Sequence, residues 1–337
     1  MYTKEFILNE VNAIRAEIGH DEVNIFIEEI YFENNEMWII TEDRPDKSAI
    51  IGKGGWVVGK LKEKLGLDSI HVESYGDFLN KNYKLKLSKK TVHNVNLDSF
   101  GLKNLERTID CKLENIYSFN FDKYFSQNEF EESSRTEAVV ALSGGVDSSF
   151  SLILAKKLGF NPVAVTVDPG TIILPNQFKK NINVLVESLG VKHEYIEADY
   201  SDVISESFTG NVHPCGRCSK NTGQLVKQYS KDNEIPIIIF GDMLATGSQC
   251  INLQEDSLYR LNLPASLSVG KQEIKSLIRN YDLQTFKGFG CPLLYEVHKK
   301  FPHMRKFSIQ RILRETRSGA LEPGEALDLI WSFNKVK

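Results

Sequence analysis

The sequence lacks the marks of a membrane or exported protein. It has no run of about 18 apolar residues, the length that a membrane-spanning helix needs. Its N-terminal stretch shows no basic and then apolar leader followed by a small-residue cleavage site. We therefore expect a cytoplasmic protein without a membrane partner.

Cysteine is scarce, and its number is odd. The 337 residues include five cysteines, which argues against a disulfide framework and leaves metal or redox chemistry open. They are Cys111, Cys215, Cys218, Cys250 and Cys291.

An overall basic charge, typical of many nucleic-acid binders, is absent because the net charge is −4. Lysines and arginines nevertheless cluster in residues 81–90 and 299–317. Such clusters are more often solvated faces than binding patches, so their surroundings must decide. At this length the chain has room for two or three domains.

One glycine-containing string stands between a predicted strand and a predicted helix. It reads Ser143-Gly144-Gly145-Val146-Asp147-Ser148-Ser149, and we call it the Ser-Gly-Gly loop (residues 143–149). The apolar run 137–142 predicts a buried strand, and apolar residues at helical spacing predict a helix from 150 to Gly159. Glycines and a helix N-terminus favour phosphate, and the missing Gly-Lys-Ser/Thr excludes a Walker A loop. A ligand-free tight turn is the alternative.

This string resembles the signature of the PP-loop ATP pyrophosphatases, which cleave ATP between its α- and β-phosphates. Members activate a carbonyl or amide oxygen as an adenylate, release pyrophosphate and let a nucleophile displace AMP. The resemblance implies that the whole Ser-Gly-Gly loop contacts ATP and that Asp147 aids Mg²⁺. The expected contacts are Ser143, Gly144, Gly145, Val146, Asp147, Ser148 and Ser149.

Strands and helices alternate after the Ser-Gly-Gly loop. Strands are predicted at 162–168, 193–197 and 234–240, and a helix at 178–189. This alternation predicts an α/β fold with a doubly wound parallel sheet and ligands at the carboxyl ends of its strands. The resemblance then implies that Val167 and Asp168 hold adenine and ribose. It further implies that Gly241 lies at the ATP site and that Asp242 meets Mg²⁺ or the activated base.

The first 76 residues show a different order of elements. Helix 4–18, strands 23–32 and 37–41, a second helix, a glycine loop, helix 57–65 and a strand near 70–72 follow one another. This order resembles a type II KH domain of α+β class, whose Ile-Gly-x-x-Gly loop is matched by Ile51-Gly52-Lys53-Gly54-Gly55. The resemblance implies that Gly52, Lys53, Gly54 and Gly55 clamp single-stranded RNA. A KH-like packing module is the alternative.

We therefore expect three regions. Residues 1–76 form the KH-like domain, residues 77–135 a connector or helical region, and residues 136–337 the PP-loop domain with basic C-terminal helices. Within the connector, the basic stretch 80–90 is interpreted as a strand, and apolar spacing predicts a helix over 99–117.

A Cys-x-x-Cys pair, Cys215 and Cys218, is predicted to lie in a turn before a helix over 220–229. The pair alone leaves zinc, an iron–sulfur cluster and a dithiol open. Zinc usually needs a second pair, and only Cys250 and Cys291 remain downstream. We expect Cys111 to be a buried small hydrophobe, and Cys250 to be a structural thiol or an alternative ligand.

A PP-loop, a Cys-x-x-Cys after the third strand and one further cysteine resemble the iron–sulfur-dependent tRNA thiouridine synthetases. That resemblance implies a [4Fe-4S] cluster held by Cys215, Cys218 and Cys291, with one iron left open for hydrosulfide. Two departures put the target nucleotide in doubt. Gly241-Asp242-Met-Leu-Ala-Thr-Gly247 replaces a Gly-His-x-x-Asp-Asp motif, and paired zinc motifs are absent.

The sequence thus predicts an ATP-dependent, AMP-forming tRNA sulfurtransferase with Asp147 and Asp242 as catalytic residues. Its cofactors would be ATP, Mg²⁺ and the [4Fe-4S] cluster. Its partners would be tRNA and a sulfur donor, either inorganic sulfide or a persulfide carrier, and a homodimer is left open. The alternatives are a cluster-free PP-loop thiolation enzyme with a persulfide or zinc site, and an RNA-binding regulator that responds to ATP.

Overall fold

The structure is a computed structural model that describes residues 2–128, 136–254, 257–284 and 289–334. The chain divides into two compact units. The N-terminal unit comprises Met1–Lys84 and Lys112–Phe119, and the C-terminal unit comprises Leu85–Cys111 and Asn120–Lys337. Among the helices in the described ranges, none is long and apolar enough to cross a membrane.

The N-terminal elements follow the predicted order of helix, strand, strand, helix, helix and strand. Their bounds are α1 (Lys4–Glu17), β1 (Ile27–Glu33), β2 (Glu36–Thr41), α2 (Arg44–Ile51), α3 (Trp56–Leu65), β3 (Ser69–Ser74) and α4 (Tyr75–His93). β1 pairs with β2 antiparallel, and β2 pairs with β3 parallel. Asn34 and Asn35 adopt positive φ in the tight turn between β1 and β2. The buried face of α1, with Ile7, Val11 and Ile14, packs in the core of this unit.

The predicted strand over 80–90 is wrong, because these residues belong to α4. The prediction rested on a short alternation of lysine and leucine. The buried side chains instead follow a helical spacing, with Leu85, Ser88 and Val92 separated by three and four residues. Lysine and leucine are also good helix formers, which favours the longer helical pattern.

The remaining elements begin with α5 (Phe100–Glu114), the helix predicted over 99–117. The others are α6 (Phe121–Gln127), β4 (Glu137–Ala141), α7 (Val146–Lys157), β5 (Asn161–Asp168), α8 (Asn176–Leu189), β6 (Lys192–Glu197), α9 (Ser201–Ser207), α10 (Pro214–Asp232), β7 (Ile237–Phe240), β8 (Ile251–Leu253), β9 (Tyr259–Asn262), α11 (Leu263–Ser266), α12 (Lys271–Ile278), α13 (Pro292–Lys300), α14 (Arg305–Arg317) and α15 (Pro323–Asn334).

Within the described part of the C-terminal unit, six strands form one sheet in the order β6-β5-β4-β7-β9-β8. All neighbours are parallel except β8 and β9. The predicted α/β fold with a parallel sheet is therefore confirmed, although β8 and β9 were not predicted. β4 lies between β5 and β7, so the carboxyl ends of these three strands adjoin.

α10 begins earlier than the sequence pattern predicts. It starts at Pro214 rather than near residue 220, so Cys215 and Cys218 lie in its first turn and not in a preceding turn. Proline is favoured at the first helical position because its missing N–H has no intrahelical acceptor to lose. Apolar periodicity, which begins only at Leu225, missed this polar first half of the helix.

Candidate functional site

A network of hydrogen bonds closes the Ser-Gly-Gly loop between β4 and α7. The backbone N–H of Ser143 donates to Oγ of Ser148 at 3.1 Å. The hydroxyl of Ser148 donates to the carbonyl oxygen of Gly145 at 3.0 Å. Gly144 has a φ of 72°, and a Cβ there would lie 2.6 Å from the carbonyl oxygen of Phe178. The turn therefore requires glycine, and it leaves bare backbone at a helix N-terminus, the arrangement that binds phosphate.

The other residues of the Ser-Gly-Gly loop form the first turn of α7, which begins at Val146. Ser149 is buried, and its backbone N–H donates to the carbonyl oxygen of Gly145 at 3.0 Å. The hydroxyl that contacts the loop is therefore that of Ser148. Val146 and Asp147 are half-buried.

Asp147 has a partner that sequence reasoning missed. Nζ of Lys271, the first residue of α12, lies 2.6 Å from each carboxylate oxygen of Asp147. Both side chains are largely buried, with 15% of Lys271 and 25% of Asp147 exposed. A cation is therefore held beside the loop, where it can offset phosphate charge. The sequence around Lys271 indicates only the start of a helix and not its partner.

Gly241 brings the end of β7 against the first turn of α7. A Cβ at Gly241 would lie 2.8 Å from the carbonyl carbon of Asp147, so any other residue would push the two elements apart. Asp242, the next residue, is exposed, and its Oδ1 accepts a hydrogen bond from the backbone N–H of Leu244 at 2.9 Å. Its carboxylate thus lies two residues beyond the end of β7 and directly after Gly241, the residue that contacts the Ser-Gly-Gly loop.

Val167 and Asp168 end the neighbouring strand β5. Val167 is buried, whereas the carboxylate of Asp168 accepts from the backbone N–H of Gly170 at 3.1 Å. The same carboxylate forms an ion pair with Lys179 of α8. Lys179 is a second cation at this sheet edge that the sequence did not reveal.

The three cysteines of the predicted metal site lie at the starts of two helices. Cys215 and Cys218 occupy the first turn of α10, three residues apart and on one face. Cys291 is the N-cap residue of α13. α10 and α13 contact each other, and all three thiols are half-buried.

The three thiols influence one another. Burial and, second, the proximity of Cys291 raise the pKa of Cys215 to about 11. The same two causes raise the pKa of Cys218 to about 11, and burial raises that of Cys291. Without a metal the thiols therefore stay protonated near neutral pH. Among the described residues, no three His, Cys, Asp or Glu side chains form a ready-made metal group. Three cysteine sulfurs are the ligands that a soft metal centre prefers. To bind one, the three side chains must move closer together and lose their protons.

Arg311 of α14 is the charged residue that lies near both the thiols and the Ser-Gly-Gly loop. Its Nε donates to Oε1 of Glu315 at 3.1 Å, and its guanidinium lies 5.7 Å from the ring centre of Phe289. Burial alone would lower the pKa of Arg311, but Glu315 and then Cys215 and Asp147 raise it. Arg311 therefore lies within electrostatic range of both Cys215 and Asp147, and about half of its side chain is exposed. Sequence reasoning counted Arg311 only as a member of the basic cluster.

A buried hydrogen-bond chain stands behind the cysteines. Oγ of Ser308 lies 3.2 Å from Nε2 of His213, the N-cap residue of α10, and 3.1 Å from Nε2 of His298 in α13. Burial, followed by His213 and Arg305, lowers the pKa of His298 to about 4. The chain links the N-cap of α10 to the last turn of α13 and to α14.

The other two cysteines lie elsewhere. Cys250 is fully buried, and burial raises its pKa to about 11 while Ser88 of α4 lowers it in part. Cys111 of α5 is half-buried, so the prediction that it is a buried residue is wrong. It lies on the outer flank of that helix's buried face, which includes Ile109 and Lys112.

The glycine loop of the N-terminal unit forms a short 3₁₀ turn, Lys53–Gly55, between α2 and α3. Gly52, Gly54 and Gly55 have φ of 70°, 65° and 78°. A Cβ at Gly52 would overlap the side chain of Val57, so this residue must be glycine. Lys53 is exposed. The four residues predicted to touch RNA thus form one open turn.

The predicted basic C-terminal cluster lies on α13, α14 and the turn between them. Most of its side chains are exposed. The exposed members are Lys299, Lys300, Lys306, Arg311, Arg314 and Arg317.

No known protein-family model matches the chain. The chain is 32% identical over 248 residues to the uncharacterized protein MJ1638 of Methanocaldococcus jannaschii, a match covering 73% of this chain and 90% of that protein.

Shorter matches involve enzymes. The NH(3)-dependent NAD(+) synthetase of Staphylothermus marinus is 33% identical over 94 residues, 26% of this chain and 34% of that protein. The tRNA-specific 2-thiouridylase MnmA of Persephonella marina is 26% identical over 140 residues, 36% of this chain and 37% of that protein. These matches support the resemblance to the PP-loop ATP pyrophosphatase superfamily.

A solved structure, the U34-tRNA thiolase NcsA of Methanococcus maripaludis with its [4Fe-4S] cluster, aligns with a TM-score of 0.39 at 14% identity. The alignment covers 74% of this chain and 83% of that one. A likeness this weak carries no argument about function.

Proposed function

The chain belongs to the family of the uncharacterized protein MJ1638 of Methanocaldococcus jannaschii, and we propose that it is an ATP-dependent, AMP-forming tRNA sulfurtransferase. The observation that carries the proposal is geometric. One unit holds the Ser-Gly-Gly loop at the start of α7 and three cysteines at the starts of two contacting helices, α10 and α13. An enzyme needs both groups if it activates a base and then delivers sulfur to it. The short match to a tRNA thiouridylase agrees with this chemistry.

The first half-reaction takes place at the Ser-Gly-Gly loop. A nucleobase carbonyl oxygen attacks the α-phosphorus of ATP, and the bond from that phosphorus to the bridging oxygen breaks as pyrophosphate leaves. The loop backbone binds the phosphates. Lys271, which pairs with Asp147, would turn toward the phosphates, and the carboxylate of Asp147 would then hold Mg²⁺. Asp242 would serve the metal or the activated base from the adjoining strand end, and Val167 and Asp168 would hold adenine and ribose.

The second half-reaction needs a sulfur nucleophile near the adenylated carbon. Sulfur attacks that carbon, the bond to the AMP oxygen breaks, and AMP leaves, so sulfur replaces the carbonyl oxygen. Cys215, Cys218 and Cys291 would hold a [4Fe-4S] cluster, which supplies an iron position without a protein ligand for the incoming sulfide. Arg311 offsets negative charge on the thiolates and on the adenylate phosphate. Inorganic sulfide or a persulfide carrier provides the sulfur.

RNA binding is assigned to two surfaces. Residues 1–76 would bind an unpaired stretch through Gly52, Lys53, Gly54 and Gly55, and residues 77–135 connect this region to the catalytic residues 136–337. The exposed basic residues of α13 and α14 supply the second surface. The target nucleotide stays open.

A cluster-free relay is the second candidate, favoured by the position of Cys215 and Cys218, which lie three residues apart near the start of α10. In it, Cys215 or Cys218 carries a persulfide whose terminal sulfur attacks the activated carbon. AMP leaves, and the base is joined to the carrier cysteine through a sulfur–sulfur bond. The thiolate of the other cysteine attacks the sulfur of the carrier cysteine, this bond breaks, and the outer sulfur stays on the base. The two cysteines are left as a disulfide, which a dithiol reductant returns to two thiols. An anaerobically purified protein without iron, yet fully active, would establish this candidate.

The test of the proposed function measures two products of the same reaction. The anaerobic protein is incubated with ATP, sulfide and tRNA from a strain lacking this gene, and AMP and thiolated nucleosides are measured together. We expect equal amounts of both, and neither with Asp147→Asn. Asp199→Asn, which changes an exposed acid at the start of α9 in the same unit, serves as the matched control. AMP without any thiolated nucleoside would refute sulfur transfer and point to another nucleophile.

A further inference from the structure

Trp56 exposes a large apolar surface next to the glycine loop of the N-terminal unit. It is 62% exposed, whereas Trp38 of the same unit is 8% exposed. One exposed apolar side chain needs no explanation by itself, so its surroundings must decide.

The backbone beside the indole is bare. Gly54 and Gly55 directly precede Trp56, and a Cβ at either glycine would meet no atom within 4 Å. Both have positive φ, so the chain turns sharply here without side chains that would cover the ring. A flat ligand can therefore approach Trp56 from the loop side.

Two ammonium groups flank this approach. Lys53 is exposed and has no ion-pair partner among the described residues. Nζ of Lys60 lies 5.9 Å from the ring centre of Trp56 and 3.1 Å from Oε2 of Glu17. Glu17 is therefore already neutralised, and Lys53 leaves a net positive charge beside the indole. This charge attracts phosphate and repels cationic partners.

Trp331 provides a contrast within the same chain. It is 60% exposed on α15, so its exposure matches that of Trp56. Asp328 lies three residues earlier on the same helix, so this ring has a carboxylate as its neighbour on the helix face. Trp56 instead has the ammonium group of Lys53 beside it in the loop. The two rings are equally exposed, but their immediate neighbours carry opposite charge, and phosphate favours Trp56.

We propose that Trp56 is a stacking platform for an unpaired base of single-stranded RNA, with the neighbouring phosphate bound by Lys53. This inference rests on the RNA substrate of the proposed function and adds a residue and a binding mode to it. Stacking on an aromatic ring tolerates any base, while the lysine contact depends on salt. The site therefore contacts a phosphate of the RNA backbone and the face of one base, and it does not select a base sequence.

The experiment uses the full chain and a dye-labelled oligouridylate of about ten nucleotides. Of three tryptophans in the chain, Trp56 and Trp331 are the exposed ones, so their emission reports stacking. We expect the oligonucleotide to quench emission of the wild type and of Trp331→Phe, but not of Trp56→Phe. By anisotropy, Trp56→Ala should weaken binding roughly ten- to a hundredfold. Lys53→Gln should lower the salt slope by about one.

Quenching that persists in Trp56→Phe, or unchanged affinity in Trp56→Ala, would overturn the stacking platform. A duplex RNA of equal length should quench weakly, and equal quenching would also overturn it. The thiolation assay separates this result from the proposed function. If the wild type thiolates tRNA and Trp56→Ala binds RNA as tightly as the wild type, the stacking proposal is refuted and the proposed function stands. If the oligonucleotide stacks on Trp56 but neither AMP nor thiolated nucleoside forms, the protein binds RNA and the proposed function is refuted.

Discussion

At the scale of single residues, the ion pair of Asp147 and Lys271 is the contact that ATP would rearrange under the proposed function. Each side chain compensates the other while no phosphate is bound, and both are largely withdrawn from water. Triphosphate and Mg²⁺ supply the alternative partners, with the ammonium on phosphate oxygen and the carboxylate on the metal. The pair thereby keeps two buried charges compensated in both states.

Lys271→Gln should therefore lower ATP affinity roughly ten- to a hundredfold, because a charge-assisted contact to phosphate is lost. Lys275→Gln is the matched control, since it removes a lysine one turn later on α12 that pairs with Glu325 instead. ATP binding by calorimetry and AMP formation with tRNA are the measurements. Equal ATP affinity in Lys271→Gln and the wild type would mean that Lys271 has no role in phosphate binding.

His298 makes the C-terminal unit sensitive to acid. Its pKa is about 4 in the fold against an ordinary 6.5, because burial, His213 and Arg305 disfavour the charged ring. As the pH falls below 6.5, His298 takes up a proton in the unfolded chain but stays neutral in the folded chain until the pH reaches about 4. The free energy of unfolding therefore decreases as the pH falls from about 6.5 to about 4.

Between about pH 7.5 and about pH 5, His298 should cost the wild type about 2 kcal/mol of unfolding free energy. His298→Gln keeps a polar group opposite Ser308 and removes this titration. Its stability should therefore fall less over the same interval, as measured by chemical denaturation followed by circular dichroism. An identical pH dependence in both proteins would contradict the assignment.

At the scale of elements, the candidate site depends on how closely β7 approaches α7. Gly241→Ala places a methyl group 2.8 Å from the backbone of Asp147, so the Ser-Gly-Gly loop must shift. An overpacked contact of this kind costs about 1–3 kcal/mol, and we expect AMP formation to fall at least about tenfold.

Gly223→Ala is the matched control for Gly241→Ala. Gly223 lies inside α10, and a Cβ there would meet no atom within 4 Å. Alanine should stabilise the helix by about 0.5–1 kcal/mol and leave AMP formation unchanged. Thermal unfolding and steady-state AMP assays of both variants separate the local clash from a general effect of the methyl group. Equal activities in Gly241→Ala and Gly223→Ala would refute the close approach.

Local signals account for what the sequence predicted. The Ser-Gly-Gly loop lies between a strand and a helix that each carry their own periodicity, so its structure was predictable. α4 was misassigned because four residues of lysine–leucine alternation outweighed a helical spacing that only burial reveals. Lys271 lies 124 residues from Asp147, and nothing near either residue indicates the other. Arg311 likewise gains its role only when α14 packs beside the helices that carry the thiols.

At the scale of the whole molecule, a net charge of −4 coexists with two basic surfaces. One is the glycine loop with Lys53, and the other is the exposed face of α13 and α14. Under the proposed function, the acidic remainder would limit nonspecific contact with nucleic acid and confine RNA to those surfaces. The Ser-Gly-Gly loop and the three thiols also lie on separate elements of the C-terminal unit, the loop between β4 and α7 and the thiols on α10 and α13. A substitution can therefore disable one of these two groups without changing the other.

The cysteines provide the test of that separation. Cys215→Ala, Cys218→Ala and Cys291→Ala should each lower the iron bound after anaerobic reconstitution and abolish thiolation. ATP binding should survive in all three, because the Ser-Gly-Gly loop is built from β4 and α7 and contains no cysteine. Cys111→Ala should retain iron and thiolation, since this residue lies in α5 beside Tyr124.

The remaining cysteine decides between ligand sets. Cys250 is buried against Ser88, and its interactions do not include the other thiols, so Cys250→Ala should keep its iron. Loss of iron and thiolation in Cys250→Ala, with both retained in Cys291→Ala, would make Cys250 the third ligand. Full thiolation by a protein that never binds iron would show that the persulfide relay, and not a cluster, delivers the sulfur. In that case Cys215→Ala and Cys218→Ala should still be inactive, because the relay needs both thiols of α10 and does not need Cys291.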